Sequence, residues 1–446
     1  MVTMKDSGIE WIGEIPSAWK IPKLLYVLRE KICDGPHETP SYYEEGIPFI
    51  SIDSLNESKH VSLSTCKRFI SQEDYERFCI KTKIEEGDVL FSKAATIGKT
   101  AIVGKETFMV WSPLAVIKAN HMLFNNMYLY WILNCSNMIS YIALNGSMNT
   151  QINVGMRELE QSKVPMPSLF EQQSIANYLD SQCGLIDSVI EKTKTSIEEY
   201  KKLKQAVITQ AVTKGVRGDR SMKDSGIEWI GEIPEEWSKL KLKYCTYIRA
   251  RLGWKGLKAE EYVEEGYPLL SAFNIINDKL DFSSVNYINQ FRYDESPEIK
   301  LQLDDIILVK DGAGIGKCAI LEVLPLPCTP NGSLAVITVE KYLWPKFLYY
   351  YFLSKMFQKY IDRIKDGMGV PHLFQADLRE IEIVYGLKEE QQEIVSYLDT
   401  KCTEIDNLIN KKTALLAELE SYKKSLIYEY VTGKKEVPER YKEVTQ

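Results

Sequence analysis

Only a few groupings in this 446-residue chain have residue types and spacings that could do chemistry. Residues 97–100 (IGKT) and 315–318 (IGKC) end like a phosphate-binding loop. Such a loop needs GxxxxGK followed by Ser or Thr, so that backbone N–H groups cradle phosphates and a hydroxyl holds magnesium. Neither copy fits, because the first glycine position holds Lys93 in one and Asp311 in the other, and Cys318 replaces the hydroxyl. The GAGIG run at 312–316 lacks GxGxxG spacing, and a tight turn is the better account of it. The four histidines, His37, His60, His121 and His372, form no HExxH motif and no triad-like grouping. The nine cysteines include no CxxC, which suits reduced thiols better than zinc or disulfides. The expectation is a chain with no catalytic residue, no metal and no cofactor of its own.

What remains is a set of polar side chains suited to duplex DNA. The stretch 239–258 carries seven Lys and Arg and no acidic residue. Lys239, Lys241 and Lys243 alternate with Leu240 and Leu242, as on the wet face of a strand. Arg249, Arg251, Trp254, Lys255 and Lys258, beside or within a Gly-punctuated loop, are candidate contacts to phosphate or guanine. The corresponding loop earlier in the chain, CDGPHETP at 33–40, is not basic, but Asp34, His37, Glu38 and Thr39 can hydrogen-bond base edges. Lys93 with Lys99, and Lys310 with Lys317, recur at matching places and fit backbone contacts that position without reading. A third pair of loops offers Asn149, Thr150 and Gln151, then His372 and Gln375. The net charge of −7 opposes general affinity for phosphate, so binding must come from such local patches.

The elements that must hold these residues come in duplicate. MKDSGIEWIGEIP at 4–16 returns unchanged at 222–234, and each copy leads to a tryptophan, Trp19 and Trp237. Identity over that length marks a tandem repeat. The copies then diverge, agreeing at islands such as EGIPFIS (45–51) with EGYPLLS (265–271), which read as short strands and turns. Aromatic stretches at 127–141 and 344–361 read as helices. The copies converge again at 170–213 and 389–432, now with apolar residues at heptad spacing. Cys183, Ile190 and Ile197 with Leu179, Ile186 and Val207 have counterparts in Cys402, Ile409 and Leu416 with Leu398, Ile405 and Leu426. Both segments therefore read as long coiled-coil helices that pair with each other, with Lys204, Lys423, Thr193 and Lys412 as polar residues inside the pattern. Antiparallel pairing of helices roughly 60–65 Å long would make a rod with one variable block at each end, two readers on a ruler. With 45% apolar residues and no 18-residue apolar run, the chain is expected to be globular and cytoplasmic, with no membrane partner.

The order of variable block, helix with an EQxxIxxYLD-like start, second block and second such helix resembles the specificity subunit of type I restriction-modification systems. The resemblance rests on Glu171, Gln172, Ile175, Leu179 and Asp180, on Glu390, Gln391, Ile394, Leu398 and Asp399, and on the SGIEWIGEIPxxW opening before each block. It implies an α+β protein with a pseudo-two-fold internal repeat, in which two α/β target-recognition domains are separated by two long antiparallel coiled-coil helices. The expected boundaries are 1–168 and 216–386 for the recognition domains, 169–215 and 387–434 for the helices, and 435–446 for a tail. It also implies double-stranded DNA as target and two docked methyltransferase subunits, to which restriction subunits bind. S-adenosylmethionine, ATP and magnesium would then belong to those partners.

Because the blocks differ between their shared islands, they should read different half-sites, and the whole target should not be a palindrome. Two other readings start from the same residues. A self-sufficient nuclease or methyltransferase would need the phosphate loop or adenine pocket that is missing. A coiled-coil scaffold with protein-binding blocks would show no salt-dependent binding to DNA.

Overall fold

Each repeat opens on a hairpin. Strand Met4–Asp6 pairs antiparallel with Glu14–Pro16, and Met222–Asp224 pairs in the same register with Glu232–Pro234. The turns need glycine, since Gly8 and Gly13 sit at φ +64° and +68°, and Gly226 and Gly231 at +68° and +75°. The computed structural model describes residues 3–55, 59–64, 66–94, 96–145, 147–148, 152–251, 258–312, 314–364 and 372–442. The chain divides into two units, Met1–Lys194 with Ala414–Gln446, and Thr195–Thr413.

The two units carry the same central sheet. In the first it runs Cys33–Asp34, Leu114–Ile117, Val89–Ser92, Thr100–Ile102, and in the second Thr246–Arg249, Leu334–Val339, Ile306–Val309, Cys318–Ile320, antiparallel throughout. Side chains alternate between two cores, as a pleated strand buried on both faces requires. Val89 and Phe91 join the cluster that holds Ile175 and Leu179, whereas Leu90 turns to Ile50 and Val110. Ile306 and Leu308 likewise join Ile394 and Leu398, whereas Ile307 and Val309 turn to Leu270 and Leu301.

The aromatic stretches each form two helices rather than one. Asn126–Leu133 stops where Asn134 Nδ2 donates to Tyr130 O (2.9 Å), and the chain resumes as Ser136–Asn145. Pro345–Leu353 stops at Ser354, whose hydroxyl donates to Tyr351 O and accepts from Phe357 N, starting Lys355–Ile364. A short polar side chain that satisfies backbone groups where a helix ends makes such a break cheap.

The long helices span Leu169–Lys214 and Lys388–Val431. Within the first unit the Tyr178 and Tyr430 rings pack at a tilt, 4.4 Å between centroids, and Asp187 binds Lys423. Within the second, Lys412 lies over the Tyr200 ring and Lys204 Nζ donates to both Asp406 oxygens at 2.8 Å. As one number rises the other falls, so the pairing is antiparallel. The heptad residues Leu179, Cys183, Leu398, Cys402 and Leu426 are buried, and Lys204 and Lys423 enter the seam because an aspartate meets each. Gly215, at φ +73°, ends the first helix. The following bend is tied back by Arg217–Glu393 and by Arg220 bridging Glu236 and Glu390. In the first unit, Lys434 Nζ donates to Glu14 O (3.0 Å) and Tyr428 OH to Ile12 O (3.1 Å), which brings the end of the chain onto its opening hairpin.

The motif that starts each long helix grips its block. Gln172 and Gln391 are fully buried. Gln172 Oε1 accepts from Asn125 N (2.7 Å), while its Nε2 donates to Leu123 O and Pro167 O. Gln391 repeats the pattern with Trp344 N, Tyr342 O and Gly386 O. Asp180 accepts from Trp131 Nε1 (2.8 Å), and Asp399 from Tyr350 OH (2.6 Å). Glu390, also buried, accepts from Trp237 Nε1 (3.0 Å) and binds Arg220. Glu171 is exposed; it accepts from Trp19 Nε1 at 3.3 Å and closes a capping box with Ser168.

One buried acid sits at the foot of each central strand. Asp305 is neutralised by Arg249 Nη2 (2.8 Å), which reaches it from the edge strand across Leu334–Val339, and also accepts from Gln302 N. Its counterpart Asp88 accepts from Glu85 N (2.8 Å) but faces Cys33 at the Arg249 position. Burial pushes Asp88 up to about 6, against the pull of Lys118 and Arg29.

Two outcomes are expected. Glu390→Ala should cost about 3 kcal/mol, since it leaves the buried Trp237 indole without an acceptor and Arg220 with Glu236 alone, whereas Glu171→Ala should cost about 1 kcal/mol. Denaturant titration of the two variants checks the ratio; equal losses would contradict it. The second concerns pH. A carboxyl raised on folding binds more protons folded than unfolded, so Asp88 lowers stability as pH rises from about 4 through 6, with no further loss above. Asp88→Asn keeps the acceptor and should gain about 2 kcal/mol at pH 8, but little at pH 4. Melting both proteins across that range tests the sign.

Candidate nucleic-acid interface

The sheet order brings separated loops to one end of each block. In the first unit Asp34 ends an edge strand, Lys93 leaves the central strand Val89–Ser92, and Leu114–Ile117 lies between those strands. Lys93 N donates to Pro113 O (3.0 Å), and Val154 N donates to Lys93 O (2.9 Å), which fixes the chain just after the third loop beside it. The Lys93 ammonium lies 3.0 Å from Asp34 Oδ2; Lys81 approaches Oδ1 at 3.0 Å and His37 Nε2 lies 3.3 Å from Oδ2. Burial alone would raise the Asp34 carboxyl, but hydrogen bonds from Lys81 and Lys93 outweigh it and hold the group below the usual range. Asp34 is thus an enclosed anchor for two lysines.

His37, Glu38 and Thr39 project from this anchor and are exposed, with Glu38 bound to Arg77. Gly35 makes the projection possible: a Cβ there would lie 1.9 Å from Val110 O, so no other residue fits between loop and strand. Lys99 does not join the group. Its backbone N–H meets Ser92 Oγ, and its side chain lines a cleft with Tyr130, Trp131 and the Asp187–Lys423 pair. Asn149, Thr150 and Gln151 lie outside the described residues.

The second unit gathers an equivalent group. Lys310 N donates to Ser333 O, and Leu373 N donates to Lys310 O (2.9 Å). The Lys310 ammonium meets Asp311 Oδ2 (2.5 Å), and His372 Nδ1 meets Asp311 Oδ1 (2.8 Å). Arg251 continues the edge strand towards the same end and donates through Nε to Ser296 Oγ (3.4 Å). Gln375 starts the helix Gln375–Glu380 close by, half-buried. Lys258 is exposed, its backbone N–H bound to Glu261. Lys317 is exposed at the far side of the hairpin. Arg249 is buried against Asp305 and Thr338, turned into the sheet. Trp254 and Lys255 lie outside the described residues.

Lys241 and Lys243, read as the wet face of a strand, do lie in and just beyond strand Ser238–Lys241, where both bind Glu380. The sequence offered no sign of Lys81, Arg77 or Asp311 as members of these groups. Each joins through a partner tens of residues away or through a turn with no pattern of its own. Among the described residues no group of His, Cys, Asp and Glu could hold a metal ion, and no helix is long and apolar enough to cross a membrane.

Comparison with known proteins places this architecture. The family described as type I restriction modification DNA specificity domain matches twice, at residues 37–199 and 234–420. The MjaX specificity subunit assigned to a type I restriction enzyme of Methanocaldococcus jannaschii is 29% identical over 433 residues, covering 95% of each chain. The MjaVIII specificity subunit of the same organism is 26% identical, covering 79% of this chain and 80% of that one. Among solved structures, a chain from work on complex assembly and conformational transition of the type I R-M system superposes with TM-score 0.71 at 16% identity. It covers 94% of this chain and 98% of its own. The HsdS subunit from Thermoanaerobacter tengcongensis gives TM-score 0.51 over the same shares, also at 16% identity. With the family matched across both blocks and into both long helices, the chain belongs to the type I restriction-modification DNA specificity family.

Proposed function

We propose that this protein is a non-catalytic DNA reader that directs adenine methylation and restriction carried out by partner subunits. The observation that carries the reading is one scaffold used twice with different loop chemistry. Sheet order, the equivalent lysines Lys93 and Lys310 and the grip of Gln172 and Gln391 are retained, while the side chains beyond the strand ends differ. A scaffold repeated with unlike loops suits recognition of two unlike half-sites on one duplex. The recognition domains would occupy 1–168 and 216–386, and the helices 169–215 and 387–434 would set the unread gap and dock two methyltransferase subunits. Restriction subunits would join through that assembly in the cytoplasm, bringing ATP and magnesium, with S-adenosylmethionine on the methyltransferase.

On this reading His37, Glu38 and Thr39, with Asn149, Thr150 and Gln151, face the first half-site. Arg251, Trp254, Lys255, Lys258, His372 and Gln375 face the second. Lys93 and Lys310 hold the backbone at each.

Long-read methylation sequencing of DNA from cells expressing the chain with a cognate methyltransferase subunit is the direct test. One bipartite, asymmetric motif with methyl-adenine in both halves is expected. A symmetric motif would sink the two-reader account, and no methylation from an assembled complex would favour a protein-binding scaffold. Inserting four residues beside Thr195, about one helical turn, should lengthen the gap by one or two base pairs and leave both half-sites unchanged. An altered half-site would refute the ruler.

A further inference from the structure

Around their equivalent lysines the two blocks assemble the same three side-chain types from different loops. In the first, Lys93 meets Asp34 at the end of an edge strand, and His37 from the loop that follows approaches the same carboxylate. In the second, Lys310 meets Asp311 on the next hairpin position, and His372 from the loop before the short helix Gln375–Glu380 engages the same carboxylate. The acids differ in access. The Asp34 side chain is 1% exposed and works inside the block, whereas that of Asp311 is 24% exposed beside a half-exposed His372.

Asp311 is not required by the hairpin it sits on, because the residue after Lys93 is Ala94. A carboxylate at the edge of a phosphate-binding surface also weakens general affinity for DNA, so its presence calls for a compensating role. The surroundings hold it firmly. Asp311 and His372 pair through their backbones as an isolated bridge, His372 Nδ1 engages Oδ1, and the His372 ring lies against exposed Phe374. The result is a fixed acceptor, Asp311, with a fixed donor, the Lys310 ammonium, 2.5 Å away.

A fixed acceptor complements a base edge that presents an amino group, with Lys310 beside it on the DNA backbone. In the major groove the amino groups are adenine N6 and cytosine N4, and adenine carries N7 beside its N6. We propose that Asp311, held by His372 and paired with Lys310, reads an exocyclic amino group at one position of the second half-site. The proposal rests on the DNA-reading function argued above.

The test is methylation sequencing with Asp311→Ala and Asp311→Asn in the complete chain, co-expressed with the methyltransferase subunit and checked for assembly by co-purification. Asp311→Ala should admit other bases at one position of the second half-site, with discrimination there falling about tenfold or more, and leave the first half-site intact. Its affinity for unrelated duplex, measured by fluorescence anisotropy, should rise a few-fold, since a negative charge has gone. Asp311→Asn keeps the shape and an acceptor and adds a donor. Retained preference in that variant identifies adenine, whose N6 and N7 an amide matches, and lost preference identifies cytosine. If the wild-type complex writes a bipartite motif and Asp311→Ala writes the same motif base for base, the assignment of Asp311 is overturned while the reading of the protein stands. If the assembled wild-type complex writes no motif, both fall together.

Discussion

The fold depends on a buried glutamine used twice. Gln172 and Gln391 each sit one residue after a glutamate at the start of a long helix, and each amide satisfies three backbone groups that would otherwise be buried without partners. An unmet buried polar group costs about 1–3 kcal/mol, so each amide decides whether the loop before the aromatic helix can be enclosed at all. A hydrophobic residue of the same size could fill the space but could not accept from Asn125 N or Trp344 N. That single requirement locks block to helix, and the apolar rows from Ile175 to Cys183 and from Ile394 to Cys402 then pack in register beneath the aromatic helices.

The seam between the long helices is built on a different compromise. Near the blocks it is apolar and buried, but further along it admits Lys204 and Lys423, each answered by an aspartate from the other helix. Partly exposed pairs of this kind contribute little net stability, at most about 1 kcal/mol each. Their effect is on alignment, because any other register would leave an ammonium facing apolar side chains. In the first unit Tyr178 with Tyr430 and Asp187 with Lys423, and in the second Tyr200 with Lys412 and Lys204 with Asp406, each give an antiparallel pairing.

Much of this architecture is legible in the chain. Repeated opening segments, strand-like islands and heptad rows lead to the hairpins, sheets and long helices observed, because each rests on local periodicity. The breaks at Asn134 and Ser354 are not legible, since an Asn or Ser inside an aromatic run shows its effect only once its side chain has found a backbone partner. The candidate interface is readable in part. Lys93, Lys310 and His372 stand where loops converge, but the burial of Arg249 depends on Asp305, 56 positions further along the chain. A basic residue on a strand looks the same in sequence whether it faces solvent or neutralises an acid inside the sheet.

Comparison of Asp88 with Asp305 shows how two unlike blocks can share a scaffold. Both acids stand before the central strand and both are enclosed. In the second block the neutralising charge is Arg249, which faces Val336 across the ladder and donates to both Asp305 and Thr338. In the first, Cys33 takes the arginine position; Lys118, the counterpart of Thr338, pairs with Glu30 and acts on Asp88 through charge alone, and burial raises the Asp88 carboxyl. The edge strand is therefore freed from supplying a cation in one block and bound to supply it in the other. That strand runs directly into the loops proposed to meet DNA, so a change made for internal charge balance alters which residues its end can carry outward. In the first block the continuation of this strand holds Asp34 and leads to His37, while in the second it carries Arg251. Reading chemistry and core electrostatics are thus coupled through one short strand, and neither block's loop could be exchanged for the other's without moving a buried charge as well.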